Sequence, residues 1–168
     1  MNKQTLLLAS LAFVPISGSF MYNLAVVNVY GTVTCNGEPY VNQTVSLYEK
    51  NYLLPDKLIW QTTTDEDGFY KIKDAAIDRF FQPMFYVHVR NFCDPYFENW
   101  FMHCGKNVQV TIPDWATSQG KSSVEPYNVT MEMTTVESDY HGFEWALYGT
   151  KIFDDITCDN KPGKTMLG

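Results

Sequence analysis

The sequence predicts an all-β domain, a two-sheet β-sandwich of seven to eight strands. Three observations carry this expectation. Short runs alternate apolar and polar residues at a period of two. Turn residues separate those runs at regular intervals. No segment sustains a helical period with caps at both ends. A chain of 168 residues suffices for one such domain and is short for two.

The strands follow in order. Residues 26–35 form the first and end at Cys35. Asn36-Gly37 then turns the chain, because both residues tolerate positive φ. Residues 41–48 form the second strand, with Val41, Val45 and Leu47 on one face and Asn42, Thr44 and Ser46 on the other. Pro55 marks a loop over 53–56, since proline cannot donate to a ladder. Residues 58–64 form the third strand, Asp65-Glu66-Asp67-Gly68 turns, and 69–73 form the fourth. Residues 74–81 are compatible with a short helical turn. Strands five to eight are expected at 84–89, 108–112, 127–133 and 143–153. Residues 117–125 read as loop, and 161–168 as a loose tail.

The first nineteen residues read as a leader. Lys3 is followed by a short apolar run from Leu6 to Ile16, and Ser17-Gly18-Ser19 offers the small residues of a cleavage site. The run is too short to span a bilayer, so residues 1–19 are expected to be removed and 20–160 to fold. Losing Lys3 takes the net charge from -7 to -8. Such acidity disfavours nucleic acid and anionic lipid as partners. Export also fits the cysteines. Cys35, Cys93, Cys104 and Cys158 are even in number and lack Cys-x-x-Cys spacing, so two disulfides are expected rather than a zinc or redox site. Three pairings are open. Cys93–Cys104, the nearest in sequence, is the expected one and leaves Cys35–Cys158; its small loop would contribute about 2–3 kcal/mol. Asn42-Gln43-Thr44 and Asn128-Val129-Thr130 are glycosylation acceptors.

At several ordered positions the chain resembles the nematode transthyretin-like family. Gly31-Thr32-Val33-Thr34-Cys35-Asn36-Gly37-Glu38-Pro39 is similar to the family's opening motif. Val45-Ser46-Leu47-Tyr48-Glu49, Leu54-Pro55-Asp56 and Thr64-Asp65-Glu66-Asp67-Gly68-Phe69-Tyr70 follow in its order. Cys93, then Cys104 before Ile112-Pro113-Asp114, then the strand from Tyr127 to Glu132 and finally Cys158 complete the series. One position departs: Asn91 stands where the family usually carries a His, and His88 lies upstream. The resemblance implies a transthyretin-type sandwich, secretion and disulfides. It does not imply hormone transport; roles in extracellular binding and cell-surface bridging have been suggested within the family.

Residue chemistry points away from catalysis. The transthyretin fold also hosts 5-hydroxyisourate hydrolases, which need inward His and Arg residues and a C-terminal Tyr-Arg-Gly-Ser. This chain has His88, His103 and His141, with Arg79 and Arg90, and ends Lys164-Thr165-Met166-Leu167-Gly168. No Gly-x-Ser-x-Gly elbow is present. Asp65-Glu66-Asp67-Gly68 lacks the later bidentate carboxylate of a calcium loop and reads as a turn. No metal or cofactor is therefore expected. The densest unexplained feature is aromatic: Phe80, Phe81, Phe85, Tyr86, Phe92, Tyr96, Phe97, Trp100 and Phe101 crowd one stretch. One reading has them cap the end of the sandwich. The other makes Phe92, Tyr96, Phe97, Trp100 and Phe101 a contact surface. The chain is accordingly expected to be a secreted, non-catalytic, glycosylated binding protein. Its partner would be a protein, a cell surface or a small apolar ligand. A hydrolase and an oligomeric ligand carrier are the alternatives.

Overall fold

A computed structural model describes residues 22–51, 55–79, 81–93, 95, 97–98, 102–120, 124–139 and 156–160. The leader expected at 1–19, the strand expected at 143–153 and the loose tail expected at 161–168 lie outside the described residues.

The strands are β1 (Asn23–Cys35), β2 (Glu38–Pro39), β3 (Thr44–Lys50), β4 (Lys57–Thr63), β5 (Phe69–Asp78), β6 (Met84–Asn91) and β7 (Phe97–Glu98). They continue as β8 (Met102–Thr111), β9 (Thr117–Gln119), β10 (Tyr127–Asn128), β11 (Met131–Glu132) and β12 (Ile156–Asn160), with a 3-10 turn at Asp114–Ala116. They make two sheets. In the first, β1 is the hub. It pairs antiparallel with β5 along ten residues, with β2 and β9 antiparallel, and with β10 and β11 in parallel. The second runs β12-β8-β6-β3-β4, with β7 also on β8.

The expected period of two builds the core. Val27, Val29 and Val33 of β1, with Tyr70 and Ile72 of β5, face Val45, Leu47, Phe85, Val87 and Val89 of β3 and β6. Each such side chain, once fully buried, contributes about 1.5–3 kcal/mol before entropy is counted.

Residues 117–119, expected as loop, instead pair with β1 as β9, and four further boundaries differ from the sequence expectation. Residues 41–42 are a turn and not strand, and Asn42 holds φ 57°. Buried Thr64 shapes this corner: its hydroxyl donates to Tyr40 O at 2.6 Å and accepts from Gln43 N at 2.9 Å. The helical turn expected within 74–81 is instead the end of β5, because Ala75 to Asp78 pair with Asn23 to Val26. The sheet ladder overrides local propensity. β8 starts at Met102 rather than at 108, since β7 and β12 supply partners for its first half. The expected strand at 127–133 splits into β10 and β11.

That split has a visible cause. Between the two pieces Val129 N donates to Tyr30 O at 2.8 Å, while Val129 O accepts from the buried Tyr70 hydroxyl at 2.6 Å. The Val129 carbonyl also passes directly over Gly31, where a Cβ would collide with it.

Candidate functional site

The sulfur bridges flank the aromatic stretch of the sequence and organise one end of the sandwich. Their pairing corrects the sequence expectation: Cys35 joins Cys93 and Cys104 joins Cys158. The ladder explains why. β6 and β8 pair as far as Asn91↔Lys106, a register that would place Cys93 opposite Cys104 if it continued. It stops because buried Asn91 donates through Nδ2 to Met133 O at 2.6 Å and accepts from Cys93 N at 3.0 Å through Oδ1. These bonds turn the chain out of the sheet toward the end of β1. The position beside Cys104 is taken by Phe97 of β7, and Cys158 of β12 lies opposite Cys104 on its other flank. Gly105 permits the exit, because a Cβ there would collide with Asn91 O. Asn91, conspicuous in the sequence for standing in place of a His, is thus the residue that redirects β6.

Cys35–Cys93 ties the first sheet to the second, with Cα atoms 5.6 Å apart. Cys104–Cys158 links neighbouring strands of one sheet, with Cα atoms 4.0 Å apart. The aromatic stretch lies between two bridged roots. Of its expected contact residues, Phe92 is half-buried and meets His103 edge-on at 4.6 Å. Phe97 belongs to β7, which pairs with β8 as a hairpin through Phe97↔Cys104 and Glu98↔His103. Tyr96, Trp100 and Phe101 lie outside the described residues.

The turn that follows Cys35, the partner of Cys93, is held by one carboxylate. Asn36 and Gly37 both take positive φ, 54° and 78°, as the Asn-Gly pair requires. Glu132 of β11 accepts from Gly37 N and Thr34 Oγ1 at 2.9 Å each and from Asn36 N at 3.0 Å. Thr134 adds its hydroxyl at 2.7 Å and its N–H at 3.2 Å. These donors, the Thr134 hydroxyl foremost and then Gly37 N–H, hold the Glu132 carboxyl down at about 2. A depressed folded value means stability that is present above the ordinary 4.5 and lost as pH falls toward about 2. Glu132→Gln is therefore expected to be less stable than the parent at neutral pH, with the gap closing across that window. Urea denaturation at a series of pH values reads it; a gap independent of pH would contradict the assignment.

Of the histidines, His141 lies outside the described residues, and His88 and His103 each meet a neighbouring group. His88 Nε2 donates to Asn107 Oδ1 at 3.2 Å, an oxygen that also accepts from Thr157 Oγ1 at 2.8 Å. Burial lowers its pKa below the ordinary imidazole value. His88 and Arg90 alternate on the outer face of β6 and line one shallow depression with Thr44, Ser46, Tyr48 and Gln61. Arg90 lies 3.7 Å from Asp159, and Arg79 sits over the Tyr22 ring at 5.5 Å. The Asp65 turn forms as expected: its Oδ1 accepts from Asp67 N at 3.0 Å and Phe69 N at 2.8 Å, and Gly68 takes φ 72°. Among the described residues no group of three or more His, Cys, Asp or Glu is placed to hold a metal ion. Asn42 and Asn128 are both exposed, and Thr130 Oγ1 donates to Asn128 Oδ1 at 2.7 Å.

Sequence reasoning passed over Trp115. It is 77% exposed, meets Tyr127 edge-on at 5.2 Å and borders an open groove of about 600 Å³ with Val124 and Pro126. Nothing in its local pattern distinguishes it from a core tryptophan.

A two-sheet sandwich with a parallel pair on its hub strand and bridges at one end defines a class of β-domain. Within that class, the model of the transthyretin-like family matches residues 30–113, half of the chain. The chain belongs to the transthyretin-like family. No curated protein matches it. Among solved structures it is similar to a 9R-lipoxygenase from Cyanothece PCC8801, at 12% identity and a TM-score of 0.35 over 62% of this chain. The chain spans 16% of the lipoxygenase's length. Among the described residues no helix is long and apolar enough to cross a membrane.

Proposed function

We propose that this is a secreted extracellular protein that acts by binding and not by catalysis, and that it presents the aromatic β7–β8 hairpin to a protein or cell-surface partner. The leader sequence, the two sequons and four cysteines all spent in disulfides support export. One observation carries the binding role. Both roots of the aromatic segment are bridged, yet to different elements: Cys93 to β1 and Cys104 to β12. A segment anchored at both ends loses less freedom on association, so more of its contact energy appears as affinity. Trp and Tyr are the side chains that most often carry such energy. The packed state of His88 and His103 supports the non-catalytic reading.

Trp100→Ala is expected to weaken partner capture by about tenfold or more, the ordinary loss at an aromatic anchor. Affinity capture on surfaces of cells from the source tissue, with parent and variant side by side, measures this. Equal capture by the two would remove the hairpin from the account.

A further inference from the structure

The outer face of the second sheet carries a different kind of site. Its residues align in cross-strand rows. Gln61, Ser46, His88 and Gln109 form one row across β4, β3, β6 and β8. Leu58, Tyr48, Tyr86 and Thr111 form the next. Small residues, Ser46 and Thr44, occupy β3 between β4 and β6, and larger ones flank them. The result is a depression of about 160 Å³ walled by Tyr48, Gln61, His88 and Arg90. Ser46 forms its floor and is only 5% exposed, although it points away from the core.

The chemistry of this wall is selective. Tyr48 is held in place by stacking on Tyr86 at 5.4 Å, and the Tyr86 hydroxyl donates to Asp56 Oδ2 at 2.7 Å. Asn107 accepts from His88 Nε2, so the neutral ring keeps Nδ1 as an acceptor. Hydroxyls of Ser46, Thr44 and Tyr48 both donate and accept, as the Gln61 amide does through its two ends. Among the described residues no carboxylate lines the depression, and its one cation there, Arg90, already has Asp159 at 3.7 Å. A wall of mixed donors and acceptors with an aromatic ring and little net charge suits a neutral ligand rich in hydroxyls. The volume suits one ring of it.

The geometry points to this depression as a binding site for a single neutral sugar unit, held by Ser46, Gln61, His88 and Arg90 against the Tyr48 ring. The site goes beyond the hairpin reading and lies on other residues, so either can fail alone.

Isotope-labelled secreted protein titrated with glucose, galactose, mannose and N-acetylglucosamine, with inorganic phosphate and acetate as anion arms, tests it by NMR. The expected result is a saturable shift of the Ser46 amide and the His88 ring with at least one sugar, with a Kd in the millimolar range ordinary for so small a polar ligand. Ser46→Leu fills the floor and should abolish the shift of the remaining wall residues. Gln61→Ala, a milder change at an exposed position, should weaken binding several-fold and keeps the test valid if the first variant misfolds. No saturable shift with any sugar would overturn the proposal. So would saturation by phosphate or acetate alone, or undiminished sugar binding in folded variants.

Discussion

Protein carrying Cys35→Ala and Cys93→Ala is expected to melt roughly 10 °C below the parent chain, the shift that a loss of about 4 kcal/mol produces in a domain of this size. The magnitude comes from the loop. The bridge spans 58 residues, and closing a loop that long restricts the unfolded chain more than the short loop anticipated from sequence. Cys104–Cys158 spans 54 residues, so its chain-entropy contribution is nearly the same. The two removals should differ in what they release. The first frees the end of β1 from the second sheet, and with it the Asn36-Gly37 turn. The second frees β12 from β8. Differential scanning calorimetry gives the midpoints, and hydrogen exchange at Asn36 and Gly37 separates the two variants. A midpoint unchanged by the first replacement would show that this bridge does not form.

Gly31→Ala is the second large effect. Gly31 is buried within β1 at ordinary negative φ, so an alanine there meets no dihedral penalty. It meets the Val129 carbonyl, which can retreat only by giving up its hydrogen bond from Tyr70. Backbone is the obstacle, and no rotamer relieves it. The cost is expected at about 3 kcal/mol or more, at the upper end of overpacking. Gly37→Ala is the control. It stands at φ 78° with nothing within 4 Å of its added Cβ, so it pays only the left-handed strain of about 1–2 kcal/mol. Urea unfolding of the two variants should therefore rank Gly31→Ala as the worse. The reverse order would contradict the close approach of β10–β11 to β1.

What could be read from the chain and what could not divide along a physical line. Period-two runs at Val45 and Leu47, or at Tyr70 and Ile72, are local signals, and the strands they predict are present. The Asn36-Gly37 turn and the Asp65 turn were legible for the same reason, since each is decided by the dihedral freedom or side-chain oxygen of its own residues. The end of β5 was not legible, because Ala75 to Asp78 are strand only through pairing with Asn23 to Val26. Disulfide pairing was not legible either. Nearness in sequence favoured Cys93–Cys104, whereas the outcome depends on Asn91 bonding to Met133, 42 residues away. The polar depression required the register of three strands to bring Gln61, Ser46 and His88 into one row. Trp115 reads like any buried aromatic until the fold leaves it outside. Of the candidate contact residues, Phe92 proves partly packed against His103.

Disulfide mapping of the protein collected from the medium of cells expressing the full chain tests the central claim most directly, because it reads export and the bridged roots of the hairpin together. Arg90 and Lys106 leave Cys93 and Cys104 on one tryptic peptide, so a further cleavage at the intervening aromatics is needed before mass spectrometry. The account predicts secreted protein with Cys35 linked to Cys93 and Cys104 linked to Cys158. Cys93 linked to Cys104, or a chain retained in the cell with four free thiols, would contradict it.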